Sequence, residues 1–168
     1  MVLINQKWHK IFELFFKYPK KKFTVREISK KTKIPSSTVQ RYLERLRDEG
    51  TIGKENKLVV NIYSKFLKSF FIIDEMHKTG LIDFLREKLN PSVIIIFGSV
   101  RKGEYDYESD IDLFVESSFG KKVDLKNFEK KLGHKIQLFI YPDINKLQPH
   151  LFNNVINGIK LFGSFKIK

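Results

Sequence analysis

The sequence contains no cysteine. Disulfides, thiolate zinc sites and thiol catalysis are excluded by that absence, which fits a reducing, cytoplasmic location. No apolar run approaches the roughly 20 residues of a membrane span. The apolar N-terminal piece, residues 1–4, is far too short for a signal peptide. A membrane partner is therefore not expected. The four histidines, His9, His77, His134 and His150, are scattered, and none pairs at metal-ligand spacing. There is no internal repeat and no low-complexity linker. Negative charge is also in short supply: 19 Asp and Glu face 32 Lys and Arg, a net charge of +13.

What is present describes a folded protein. A chain of 168 residues is long enough for one or two small domains. A 42% hydrophobic share with 30% charged residues is ordinary for a globular chain, and 16 Phe are expected to fill most of the core. The positive charge is unevenly spread. Residues 1–62 hold 15 basic against 6 acidic side chains, and residues 63–168 hold 17 against 13. The excess lies mainly in the first third, which points to a polyanionic partner there.

Three domains or segments are expected: 1–62, 63–90 and 91–168. In the first, Trp8, Ile11, Phe15 and Tyr18 recur at helical spacing, giving a helix from about Asn5 to Tyr18. Pro19 and Lys20, Lys21 and Lys22 stop it; those lysines are either phosphate contacts or a solvated loop. Thr24 and Glu27 form a capping box that starts a short helix from Val25. Lys33-Ile34-Pro35 is a turn, after which Ser36 or Ser37 is expected to cap a third helix closed by Gly50. Val39, Tyr42, Leu43 and Leu46 make its inward stripe. Its outer face carries Ser37, Thr38, Gln40, Arg41 and Arg45, side chains suited to base edges and phosphates. A hairpin from Thr51 to Val60 follows, with Lys54 and Lys57 at its charged tip.

The order helix, helix, turn, helix, hairpin resembles a winged helix-turn-helix of the kind found in many bacterial and archaeal transcription regulators. Ser29 stands where those proteins often have Ala. The resemblance implies double-stranded DNA as partner, with the third helix in the major groove and the hairpin wing on the backbone. The connector reads as a helix from Ser64 to Lys78, with an apolar face widened by Ile72 and Ile73, then a second helix from Leu81 to Leu89. So wide a face either packs within the chain or forms a homodimer seam.

In the third part, an apolar run from Val93 to Phe97 ends in Gly98-Ser99. Ten residues on, Asp110-Ile111-Asp112 opens a second apolar run. Alternation along a strand puts Asp110 and Asp112 on one face. Two carboxylates at this spacing suit a Mg²⁺ that takes its other ligands from waters and nucleotide phosphates. Gly98 lets the backbone come close, and Ser99 can hold phosphate oxygens.

The pattern Gly98-Ser99, Lys102-Gly103, Ser109-Asp110-Ile111-Asp112-Leu113 resembles the DNA polymerase beta-type nucleotidyltransferase superfamily, in particular its minimal nucleotidyltransferases. The fold so implied is α+β: a winged helix-turn-helix, then a small mixed β-sheet with flanking helices. The resemblance assigns Asp110 and Asp112 to metal and catalysis. Gly98, Ser99, Lys102, Gly103 and Ser109 go to the nucleotide, with Mg²⁺ as cofactor and an NTP as substrate or ligand. A third strand is expected from Lys135 to Tyr141. There the chain departs from the family, whose third carboxylate position aligns with Gln137, and a neutral amide cannot act as a base. Glu116 and Asp143 are distant substitutes.

Two main readings stay open, beside a weaker third in which the basic surface holds RNA, the acceptor itself. One is a transferase moving NMP from an NTP to a hydroxyl on a protein, an RNA end or a small molecule; family members often act as antitoxins beside a HEPN-type toxin. The other is a regulator whose transferase-like domain senses nucleotide or dimerises.

Overall fold

Apolar residues at helical spacing build α1 (Gln6–Lys17) in the computed structural model, which describes residues 6–120 and 122–167. The expected start at Asn5 lies outside the described residues. Trp8, Ile11, Phe12, Phe15 and Phe16 turn inward. The capping box forms as expected. Glu27 N–H donates to Thr24 Oγ1 at 3.2 Å and Thr24 N–H donates to the Glu27 carboxylate at 2.8 Å, which starts α2 (Val25–Thr32). Lys33 closes α2 in the left-handed region, at φ 58°.

α3 spans Ser36–Asp48. Neither Ser36 nor Ser37 caps it: the N-cap is Pro35, without a side-chain cap, and both serines lie inside the first turn. The fixed φ of a proline already sets up the turn, so a capping hydroxyl is not required. Val39, Leu43 and Leu46 are fully buried. Tyr42 stacks on Trp8, with ring centroids 4.5 Å apart.

The expected hairpin is minimal. Its ladder is a single antiparallel bridge between Ile52 and Leu58, flanked by bonds from Gly53 to Lys57 and from Val59 to Thr51. Asn56, at φ 50°, fixes its tip. Its amide donates to the Phe23 carbonyl at 3.0 Å and its Oδ1 accepts from Arg47 at 2.8 Å.

α4 (Ile62–Lys78) starts two residues earlier than the sequence suggests, because Asn61 rather than Ser64 opens it. Asn61 Oδ1 accepts from Ser64 N–H at 2.8 Å, and Ser64 Oγ accepts from Asn61 N–H at 2.9 Å, a reciprocal cap. α5 (Leu81–Leu89) follows. By chain contacts the protein divides into two compact units, 1–67 and 68–168.

In the second unit β1 (Val93–Phe97), α6 (Gly98–Lys102), β2 (Ile111–Glu116), α7 (Lys126–Leu132), β3 (Ile136–Tyr141), α8 (Pro149–Ile156) and β4 (Ile159–Gly163) follow in order. The sheet order is β3-β2-β1-β4. β1 is antiparallel to β2 and β4, and β2 is parallel to β3, so the sheet is mixed. Every residue of β1 is buried, so both faces of the sheet are covered. One face is built by Val93, Ile95, Phe97 and Phe114 packed with Val155 of α8 and with Ile144 and Leu147 before it. The α+β expectation holds for the chain: helices with a one-bridge hairpin in the first unit, then a four-stranded mixed sheet with flanking helices in the second. Among the described residues no helix is long and apolar enough to cross a membrane.

Candidate nucleotide site

Strand register places the central carboxylate. Asp112 pairs with Phe97 on one side and with Gln137 on the other. Alternation puts Asp112 on the same face as Phe114, the face that α8 covers. Phe97 is followed at once by Gly98, so the strand delivers the Gly-Ser bend to the foot of Asp112. The fit is close enough to demand glycine. Gly98 has φ +68°, and a Cβ there would overlap Asp112 Oδ2 and stand 3.0 Å from Cγ.

These groups share one cleft of about 640 Å³. Gly98, Ser99, Lys102, Asp112 and Gln137 line it together with residues of α8. Gln137 is thus placed beside Asp112 in register. Asp110 precedes β2, is exposed, and lines a second recess of about 620 Å³ with Tyr107, Ser109, His134 and Lys135. Ser109 is engaged locally: its Oγ accepts from Asp106 N–H at 3.0 Å and donates to the Asp106 carboxylate at 3.2 Å. Gly103 ends α6 at φ 65°, donating its N–H to Ser99 and Val100 carbonyls.

The electrostatics favour a cation here. Burial first, and the charge of Asp110 second, hold the Asp112 carboxyl above its ordinary range. A divalent ion beside Asp112 would offset that cost. Among the described residues no group of three or more His, Cys, Asp or Glu stands ready to hold a metal. That donor set suits Mg²⁺, which commonly takes one or two carboxylates and completes its shell from water and phosphate. The residues present therefore fit the ion only with a phosphate-bearing ligand beside it.

Two side chains that the sequence reading passed over hold the back of this loop. Lys68 is buried, donates its Nζ to the Tyr105 carbonyl and lies 4.5 Å from the Tyr105 ring centroid. Ser69 Oγ donates to the Val100 carbonyl at 2.6 Å. Neither has a sequence signature, since each acts through backbone carbonyls more than 30 residues away. Glu116 and Asp143 have local partners. Glu116 accepts from Ile144 N–H at 2.7 Å and Ser92 Oγ at 2.5 Å, and Asp143 accepts from Asn145 N–H at 2.9 Å.

The first unit presents the other candidate face. Ser37, Gln40, Arg41, Arg45 and Lys54 are exposed, and Thr38 and Lys57 are half-buried. Arg45 is also engaged within the unit, donating to Glu49 at 3.0 Å with its guanidinium 5.7 Å from the Trp8 ring centroid. Of the lysines after α1, Lys21 lies 3.4 Å from Glu27 and Lys22 lies 2.6 Å from Glu55.

Two family models match the chain. The sugar-specific transcriptional regulator TrmB model covers residues 19–65, the capping-box helix through the wing. The nucleotidyltransferase domain model covers residues 78–161, from the end of α4 into β4, half of the chain. No curated protein matches it. With the Gly98-Ser99 bend, Asp112 and all of the mixed sheet but the end of β4 inside the matched stretch, the chain belongs to the nucleotidyltransferase domain family.

Proposed function

We propose that this protein is a DNA-binding regulator whose nucleotidyltransferase domain holds an NTP together with Mg²⁺. The observation that carries the reading is the single cleft shared by Gly98, Ser99, Lys102 and Asp112. Ser99 donates a hydroxyl to phosphate oxygens, and Lys102 supplies a point charge to the triphosphate. Gly98 gives the phosphates room to approach the backbone. Asp112 and Asp110 would hold the ion, which when bound neutralises charge on the phosphates and polarises the phosphorus.

Moving NMP to a hydroxyl also requires that the hydroxyl lose its proton. Gln137 has no basic site, so it can orient an acceptor but not deprotonate it. This favours nucleotide sensing, with transfer slow or absent. The second reading is a working transferase, favoured by the intact Asp110 and Asp112 pair. Its acceptor would be a hydroxyl such as that of a HEPN-type toxin partner.

In the first unit, α3 would enter the major groove with Arg41 foremost, and Lys54 and Lys57 would hold the backbone. The match to a regulator family, the exposed polar face and the basic surplus support this. Ile62 and Phe66 are exposed one turn apart on α4 within the first unit, which supports a homodimer seam.

The test is incubation with α-labelled NTP and Mg²⁺, with and without Asp110→Asn. Retained nucleotide without label transfer supports the sensor. Transfer that vanishes in the variant supports the enzyme. Neither binding nor transfer would overturn both.

A further inference from the structure

Two chemically different sets of residues line the nucleotide cleft. One is Ser99, Arg101, Lys102 and Asp112. α8 and its C-cap also line the cleft, contributing His150, Leu151, Asn153, Asn154 and Asn157. The four polar positions are spaced i, i+3, i+4 and i+7, one face of a helix continued by its C-cap residue. The other face, with Leu151, Phe152, Val155 and Ile156, packs on the sheet.

The composition of α8 is unlike the rest of the chain. Charged residues make up 30% of the sequence, yet Pro149–Ile156 contains no Asp, Glu, Lys or Arg. A helix face that met only water would be expected to follow the chain's habit and carry Lys or Glu, which are also better helix formers than Asn. Instead it carries carboxamides, which both donate and accept hydrogen bonds without charge. Their N–H groups can reach phosphate oxygens, but phosphate, an acceptor only, leaves the carboxamide oxygens unused. Carboxamides suit the edge of a nucleobase, where donors and acceptors alternate. Asn157 is already oriented: its amide donates to the Asn153 carbonyl at 2.8 Å. Phe139 also lines the cleft, with its ring 5.4 Å from that of Phe97, so an aromatic surface lies within the same cleft for a base to cover.

We propose that the Asn153, Asn154 and Asn157 face of α8 reads the nucleobase, making this site selective among NTPs rather than a general triphosphate grip. The inference rests on the nucleotide reading of the cleft and extends it to substrate choice. Phosphate contacts at Ser99 and Lys102 give affinity common to all NTPs. The carboxamides give the difference, because a base that leaves them unmatched strands polar groups against its own edge.

The test is calorimetric titration of the full chain with Mg²⁺ and, in turn, ATP, GTP, CTP, UTP and inorganic tripolyphosphate. Wild type is expected to spread its four NTP affinities over about tenfold or more. The triple variant Asn153→Ala, Asn154→Ala, Asn157→Ala should retain its fold, since Ala is the better helix former. Its spread should fall below about threefold while tripolyphosphate affinity stays within about twofold, the loss being confined to base contacts. Lys102→Ala should weaken all five ligands alike. Equal wild-type affinities for the four NTPs, or a spread that survives in the triple variant, would overturn base reading and leave the phosphate site standing. No binding of any of the five would overturn the nucleotide site itself, and base reading with it.

Discussion

The Cα of Gly98 lies against the carboxylate of Asp112, so closely that a methyl group on Gly98 would overlap Oδ2. The backbone there is also left-handed, at φ +68°. Gly98→Ala meets both obstacles at once. Expected is a loss of Mg-NTP affinity of about tenfold or more, with a lowered melting temperature, because strain and displacement of Asp112 add together. Calorimetry and thermal denaturation of the same sample check it. Wild-type affinity in the alanine variant would mean that the bend and the carboxylate do not act together.

Asp112→Asn should move stability and binding in opposite directions. Its carboxyl is held above the ordinary range by burial and by Asp110, so its charge is a cost to the fold without a cation. In EDTA the variant should melt higher than wild type. Adding Mg-NTP should raise the wild-type melting temperature and leave the variant unmoved, since a ligand stabilises only the fold it binds.

Gln137 pairs in register with Asp112 on the neighbouring parallel strand. Gln137→Asp would put a carboxylate beside Asp112, where the proposed transfer would need a proton acceptor. If the missing base is what limits transfer, labelled-NMP transfer should rise by about 10²-fold or more while Mg-NTP affinity changes little. Unchanged transfer in a variant that binds nucleotide normally would place the block elsewhere.

Much of this was legible in the sequence. The Val93–Phe97 and Ile111–Glu116 strands fall on their apolar runs, and the third strand that carries Gln137 forms within the expected Lys135 to Tyr141 stretch. What escaped was of three kinds. Lys68 and Ser69 act on backbone carbonyls of a distant loop, and a backbone acceptor leaves no pattern of residue types. His150 and the α8 asparagines belong to the cleft only because that helix folds back over the sheet. In the sequence they are polar residues beside an apolar stripe. The start of α3 escaped for a third reason: Pro35 already ordered a turn that Ser36 and Ser37 were expected to cap.

On the proposed DNA face the two arginines of α3 differ. Arg41 is exposed, whereas Arg45 also pairs with Glu49 and lies over Trp8. Arg41→Ala should lower the salt slope of binding to a mixed-sequence duplex by about 1, and Lys54→Ala likewise. Arg45→Ala should change the slope less, because Glu49 already offsets its charge. Fluorescence anisotropy across a salt series reads all three, and identical slopes throughout would remove α3 from the interface.

Thr24→Ala removes the N-cap of α2 and should cost about 1 kcal/mol. The Thr24 amide and hydroxyl hold the Glu27 carboxyl below its ordinary value of 4.5. A lowered carboxylate pKa contributes stability that is present above the unfolded value and lost as pH falls through the folded one. The gap between wild type and variant should therefore narrow as pH drops below about 4.5. Denaturant melts at neutral and acidic pH check the sign.

The most direct measurement is calorimetric titration of Mg-ATP into the full chain, repeated in EDTA and with Asp112→Asn. Expected is saturable binding to one site that disappears in both controls. Equal affinity in all three would contradict the shared site of Gly98, Ser99, Lys102 and Asp112, and would place any nucleotide elsewhere on the chain.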